Sequence, residues 1–306
     1  MASEPDRAQG REMSGLQVGQ LAWVAAALLC CGLMVLGGLM LTPRGRPLAK
    51  SLAGSAGSLV LTMGILFAAF LGGTWVLGAF FLALAVRVGF EAGKVRLGEE
   101  ASKVLALGAG GIALIAMISP IGAIALSGLW MVLFGRLIGL SWSAESRFQP
   151  YVELAVYPVL PVALLAHGAL DEGLRPIILV AYILIETFDS YALVFGKLFG
   201  RHKAFPQLSP RKTVEGLFGG AVILVLTVVL VSTAMSLPPV GAAGLAALVG
   251  ILGLAGDLSA SRLKRVGGVK DFPVVLGHQG GALDIFDSWI AAGAGLSLLS
   301  ILFVLS

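Results

Sequence analysis

The sequence predicts an all-α, polytopic integral membrane protein of about ten transmembrane helices, with a polar site on its cytoplasmic face. Three observations carry this prediction. First, 58% of the 306 residues are hydrophobic and only 12% are charged, about half the roughly 25% charged residues of a typical soluble domain. Second, the apolar residues fall into runs whose lengths approach the ~20 residues that a helix needs to cross a bilayer. Third, the ionisable residues collect in a few islands between those runs, and the largest island, Gly256 to Ser288, lies near the C-terminal end.

Residues 1–20 form a polar tail of mixed charge. The apolar run that follows is too long for the hydrophobic part of a signal peptide, so it is read as a retained span. Apolar runs at 22–42, 55–71, 73–90, 104–118, 121–140, 150–168, 175–196, 216–235, 238–256 and 285–305 give the ten spans. Pro120, with Gly122 after it, divides the fourth run from the fifth, and Pro238-Pro239 divides the eighth from the ninth. The 42 glycines suit membrane helices, because small residues let backbones approach closely. Cys30 and Cys31 are adjacent within the first run, so they build neither a disulfide framework nor a metal site.

The cations test this topology. Most of the 21 Lys and Arg residues fall in the stretches 43–50, 91–103, 136–149, 197–213 and 257–284. All five stretches share one side if the spans alternate, and the positive-inside rule makes that side cytoplasmic, with both termini outside. The chain divides into the 1–20 tail, an N-terminal transmembrane scaffold at 21–172 and a C-terminal transmembrane catalytic region at 173–306. No basic tract is interleaved with aromatics, so nucleic acid is not an expected partner. Glu91, Glu99 and Glu100, beside Lys94 and Lys103, read as a solvated interfacial face. Glu153 and His167 read as interfacial as well.

Two polar elements carry chemistry. The first runs from Glu186 to Gly216. Asp189 lies deep in an apolar run, three residues after Glu186 and on the same helical face. An acid there needs a partner, a proton or a metal; structural pairing with a cation and a binding role both stay open. Beyond it, Lys197, Lys203, Ser209, Arg211, Lys212 and Thr213 mix cations, hydroxyls and glycines in a way that suits a phosphate chain. Attraction to anionic lipid headgroups is the simpler alternative. The second element, Gly256–Ser288, holds Asp257, Lys264, Arg265, Lys270, Asp271, Asp284 and Asp287. Ionisable groups at the edge of hydrocarbon are costly and mark function by default. Carboxylates suit Mg²⁺ and Lys/Arg suit phosphate oxygens, so the element reads as a phosphate-handling metal site at a membrane surface.

The motifs in these elements resemble the phosphatidate cytidylyltransferase (CDP-diacylglycerol synthase) family. Ser261-Arg262-Leu263-Lys264-Arg265, Lys270-Asp271, Gly280-Gly281, Leu283-Asp284 and Asp287 follow the family's C-terminal signature without a gap, and Gly256-Asp257-Leu258 precedes it. Upstream, Asp189-Ser190, Gly196-Lys197, Gly200, Lys203, Ser209-Pro210, Lys212-Thr213 and Glu215-Gly216 match in order. The resemblance covers about residues 175–305. It implies transfer of a cytidylyl group from CTP to phosphatidate at a bacterial inner membrane, giving CDP-diacylglycerol and pyrophosphate for phospholipid biosynthesis. It further implies Asp257, Asp284 and Lys264 as catalytic residues. Asp257, Asp284 and Asp287 would hold Mg²⁺ and a second cation such as K⁺. Asp189, Lys197, Lys203, Ser209, Lys212, Thr213, Arg265, Lys270, Gly280 and Gly281 would contact substrate. CTP, a lipid phosphate and membrane lipids are the implied partners, and a homodimer is an expected assembly.

The sequence departs from the family pattern at several positions. Gln279 stands at a histidine position with His278 one residue earlier, and Ile285 replaces an arginine. Ala260, Pro273 and Val214 replace a glutamate, a glycine and a tryptophan. Loss of the arginine removes a bidentate phosphate donor. The same chemistry on a different lipid phosphate, or a membrane transporter or binding paralogue without turnover, are therefore the alternatives.

Overall fold

The structure is a computed structural model. It describes residues 4–43, 45–139, 148–234, 238–275 and 280–305, with side chains from residue 18 onward except at 48, 55, 136–139, 233 and 234. The Leu276–Gln279 stretch, which carries two of the departures, lies outside the described residues, as do Arg44 and Arg147.

The helices are α1 (Glu4–Leu41), α2 (Arg46–Leu71), α3 (Thr74–Leu97), α4 (Glu99–Ile118), α5 (Pro120–Gly139), α6 (Gln149–Leu154), α7 (Leu160–Leu170), α8 (Arg175–Phe199), α9 (Val214–Ala234), α10 (Pro239–Val266) and α11 (Ala282–Leu305). A π-helical turn, Ala155–Val159, joins α6 to α7. Two short strands, β1 (Lys203–Phe205) and β2 (Ser209–Thr213), pair antiparallel between α8 and α9. Among the described residues, nine helical segments are long and apolar enough to cross a membrane, and Pro120–Gly135 is a shorter apolar tenth. The protein is an all-α, polytopic membrane protein.

The predicted breaks have the expected physical form. Ser119 is extended, with ψ 109°, because Pro120 crowds the residue before it. Pro120 then opens α5, where its missing N–H costs nothing. Ser119 Oγ accepts the Gly122 N–H at 3.0 Å and so caps the new helix. Elsewhere the helices overrun the apolar runs. Residues 91–97 belong to α3, and α10 continues through Lys264 and Arg265 to Val266. The cation-rich 197–213 stretch is the end of α8 followed by the β1–β2 hairpin.

The chain forms two compact units, and α8 and α10 each contribute to both. The first is built from residues up to 73 and from 179 to 250. Within it α8 and α9 touch closely through small residues. A Cβ added at Gly220 would lie 2.8 Å from the Phe188 carbonyl oxygen, and one at Gly216 would lie 2.6 Å from that of Ala192.

The second unit comprises residues 74–178, 251–275 and 280–306. Its centre is α7, where Leu160 to Ala166 are all buried; α3, α4, α5 and α11 surround it. Trp289 of α11 is fully enclosed, packs on Phe81 and donates its indole N–H to the Ile178 carbonyl at 2.9 Å. The end of α3, the start of α6 and the end of α10 meet at one end of this unit. There Glu153 accepts from Arg96 Nε at 3.0 Å and from Gln149 Nε2 at 3.1 Å, and Arg262 Nη2 stands 3.6 Å away. Glu153 thus clamps the ends of neighbouring helices together, with 11% of its side chain exposed. His167 Nδ1 lies 2.9 Å from the Ala116 carbonyl oxygen, so it too serves a contact between helices.

Candidate active site

The polar centre of the second unit is built where α10 ends and α11 begins. Asp257, Ser261 and Lys264 fall at i, i+4 and i+7 and therefore line one face of α10. Gly256 brings that face against α11, because a Cβ there would lie 2.5 Å from the Asp287 carbonyl oxygen and 2.7 Å from Ala291 Cβ. On α11, Asp284 stands in the first turn and Asp287 one turn further on, so both carboxylates share the side facing α10.

Both carboxylate oxygens of Asp284 accept hydrogen bonds. Lys264 Nζ donates to its Oδ1 at 2.6 Å, and the N–H groups of Phe272 and Gly281 donate to Oδ2 at 2.7 and 3.0 Å. The bond from Gly281 is the reciprocal half of a capping box, made by an acid at the third helical position. Lys264 also sits 5.4 Å above the ring of the buried Phe272. Asp287 is buried; its Oδ1 accepts the Ser288 N–H at 2.6 Å. Asp257 Oδ2 is sealed from solvent.

Tyr157, which the sequence did not mark, faces all three acids. Its backbone is non-helical (φ −155°, ψ 124°) within the π-helical turn, and its hydroxyl donates to the Asp287 carbonyl at 3.1 Å. The carboxylates of Asp287, Asp257 and Asp284 all lie close enough to act electrostatically on that hydroxyl. Pro158 beside it in an apolar run was the available signal, since such prolines often mark π-bulges and kinks at functional sites.

Glu91 overturns its sequence reading. It is not part of a solvated face but is fully buried. Its Oε1 accepts the Ala282 N–H at 2.9 Å and its Oε2 the Leu283 N–H at 2.8 Å. Arg87 Nε donates to Oε1 at 2.6 Å, and Arg87 Nη2 donates to the Pro273 carbonyl at 2.8 Å. The paired glycines adjoin these carboxylates. An added Cβ at Gly280 would strike the Asp284 carboxylate, and one at Gly281 would strike that of Glu91. Both glycines thus make room for carboxylates. Gly280 additionally has φ +83°, which only glycine adopts without strain. Arg265 and Lys270 are exposed. Among the described residues, no three His, Cys, Asp or Glu side chains form a metal cage. Mg²⁺ does not require one, because it is commonly held by one or two carboxylates together with substrate phosphates. The clustered acids beside Lys264 fit that mode.

The upstream motif lies in the first unit. Lys212 Nζ of β2 stands 3.5 Å from Asp189 Oδ1 of α8, so the acid that lacked a cation within its own run meets one from the hairpin. Lys197 donates to Ser51 Oγ at 3.0 Å. Thr213 Oγ1 accepts the Gly216 N–H at 3.1 Å and caps α9. Glu215 accepts the backbone N–H of Arg201 at 3.0 Å and that of His202 at 3.2 Å, fixing the hairpin to α9. Lys203 is exposed and Ser209 half-buried. Glu186 and Asp189 also border a cavity of about 300 Å³, together with Thr187 and Ser190 of α8 and mostly apolar residues of α1, α2 and α8.

The family model for the cytidylyltransferase family matches residues 56–303, a span that contains both polar centres. The chain belongs to the cytidylyltransferase family. Curated relatives include the phosphatidate cytidylyltransferase of Staphylococcus epidermidis, 35% identical over 175 residues, which are 55% of this chain and 66% of that protein. The Staphylococcus aureus protein of the same name is 33% identical over 177 residues, with the same shares. That of Staphylococcus saprophyticus is 37% identical over 136 residues, 44% of this chain and 51% of the relative. In this family member Asp284 is held at the start of α11 by contacts from α10 and from the intervening loop.

Proposed function

We propose that the chain transfers a cytidylyl group from CTP to phosphatidate, giving CDP-diacylglycerol and pyrophosphate, at the cytoplasmic face of a bacterial inner membrane. The observation that carries this reading is the convergence of Lys264 with Asp257, Asp284 and Asp287 at the α10–α11 junction of a cytidylyltransferase-family chain. A phosphatidate oxygen attacks the α-phosphorus of CTP. A new P–O bond forms, the bond to the oxygen bridging the α- and β-phosphorus breaks, and pyrophosphate leaves with that bond's electron pair. The lipid phosphate is already a nucleophile, so the site needs no activated serine or cysteine. The barrier lies in assembling two polyanions and stabilising charge on the leaving pyrophosphate.

Asp257 and Asp284, with Asp287 beside them, would hold Mg²⁺. When bound, the ion neutralises phosphate oxygens as a Lewis acid. Lys264 supplies a fixed positive charge, and its bond to Asp284 keeps the ammonium in place before substrate arrives. Arg265 and Lys270, both exposed, are the cations best disposed to meet an incoming triphosphate. Asp189, Lys197, Lys203, Ser209, Lys212 and Thr213 of the first unit are also proposed as substrate contacts; the support for them is the family motif that they follow. A second acceptor class is favoured by one departure, Ile285, which leaves the first turns of α11 without the family's arginine.

The test uses the purified full-length chain in mixed lipid–detergent micelles with labelled CTP, Mg²⁺ and a panel of lipid phosphates. Label should enter lipid with phosphatidate as acceptor, releasing pyrophosphate in equal amount, and EDTA should stop it. Incorporation only into another lipid phosphate would move the assignment to that acceptor. No incorporation with any of them would overturn it.

A further inference from the structure

We propose that Glu91 is a positioning residue for this reaction: from α3 it caps the N-terminus of α11 and thereby fixes Asp284 against Lys264. A helix leaves its first N–H groups without partners inside the helix. Normally a Ser, Thr, Asp or Asn just before the first turn accepts one of them. At α11 that place belongs to Gly281, which has no side chain. Glu91 replaces it from another helix, taking the N–H of Ala282 on one oxygen and that of Leu283 on the other.

The arrangement is built for this purpose. Glu91 has no solvent exposure, and its charge is matched by Arg87 at 2.6 Å and by the positive end of α11. Arg87 in turn holds the loop that precedes α11 through the Pro273 carbonyl. The same loop contributes the Phe272 N–H to Asp284. One buried carboxylate therefore fixes the two structures that orient Asp284: the first turn of its own helix and the loop that donates to it. Any side chain at Gly281 would displace Glu91. Glu91 touches neither reacting phosphate; it acts through Asp284.

The inference rests on the cytidylyltransferase reading, so its test has one readout that depends on turnover and one that does not. Glu91→Gln and Glu91→Ala are compared with wild type in the full chain. Partners of metal-binding groups typically contribute 10–100-fold to affinity or activity. Glu91→Ala should accordingly lower kcat at least about tenfold and raise the half-saturating Mg²⁺ concentration by a similar factor. KM for CTP should change little. Glu91→Gln keeps an acceptor of the same shape and should recover part of both losses. Independently, amide exchange measured by mass spectrometry should quicken over the first turn of α11 in Glu91→Ala, and less in Glu91→Gln, while α7 and the second half of α11 keep wild-type rates. Exchange at 282–283 that ignores Glu91 would overturn the proposal. So would equal losses in both variants with faster exchange throughout the unit, because that pattern reports general destabilisation. A wild type with no turnover would instead overturn the cytidylyltransferase reading.

Discussion

Lys264 and Asp284 stand 2.6 Å apart with 13% and 8% of their side chains exposed, and they join the last turn of α10 to the first turn of α11. At this burial the pair is poorly screened by water. Removing one partner leaves a nearly buried charge opposite a neutral group, which typically costs about 3–5 kcal/mol.

Asp284→Asn and Lys264→Ala should therefore each lower cytidylyl transfer by about 100-fold or more, the loss seen when a preorganised electrostatic contact to a transition state is removed. Initial rates at saturating CTP are the measurement, with thermal unfolding as a control for folding. A variant keeping a tenth or more of wild-type activity would remove Lys264–Asp284 from the chemistry.

Glu153 bridges Arg96 and Arg262 at 11% exposure. Glu153→Gln should destabilise the protein by up to about 1.5–3 kcal/mol, the range for a hydrogen bond to a charged group. Its effect on KM for CTP should be small. Unfolding midpoints in a fixed detergent, together with a double-mutant cycle against Arg96→Met, would check this. Additive effects in that cycle would show that the contact carries no coupling.

Gly256 and Gly111 make a matched pair. A Cβ at Gly256 would press on the Asp287 carbonyl, whereas one at Gly111 would meet nothing within 4 Å. Gly256→Ala should cost about 1–3 kcal/mol through overpacking and should lower activity. Gly111→Ala should be neutral or stabilising by up to about 1 kcal/mol, the gain from replacing glycine within a helix. Equal stability of the two variants would mean that α10 and α11 are not held this closely.

Lys212 and Asp189 form a looser pair, 3.5 Å apart with 40% of the Asp189 side chain exposed. Exposed pairs contribute about 0–1 kcal/mol, so Lys212→Ala should leave the unfolding midpoint almost unchanged. If the hairpin meets substrate as proposed, KM for CTP or for the lipid phosphate should rise several-fold. An unchanged KM for both would leave the pair a surface contact only.

Ile285 is half-buried beside Asp284. Introducing the family's residue, Ile285→Arg, should preserve or raise activity on phosphatidate. A steep loss, read against the lipid-phosphate panel, would indicate a pocket shaped for another acceptor.

The residues that could be read in advance were those whose chemistry is out of place locally. Asp257 and Asp284 are ionisable groups against apolar sequence, which marks them; Lys264 stands out only through the family motif that it shares with them. Glu91 gives no such sign. It sits among other charges at a span end, and the amides it binds are 191 and 192 residues away along the chain. Tyr157 is equally silent, because its importance depends on a local kink that turns its hydroxyl toward α11. The β1–β2 hairpin escaped notice because strands of three and five residues, mostly polar, carry no alternating pattern to detect. The helical end of α10 carries no signal in the sequence, because charged residues after an apolar run look alike whether or not they stay helical. Burial by protein, as opposed to lipid, likewise leaves no trace in hydropathy.

That last point has a consequence for α7. A helix bordering lipid tolerates exchange among apolar residues, since acyl chains adjust to any shape. With α3, α4, α5 and α11 around it, α7 has no such fluid neighbour, and its limits are set by volume rather than by polarity. Replacing Ala163 or Ala166, both without solvent exposure, with leucine would leave a hydropathy plot looking at least as favourable while forcing a close-packed interior apart. In α7, then, a change between greasy side chains is not conservative.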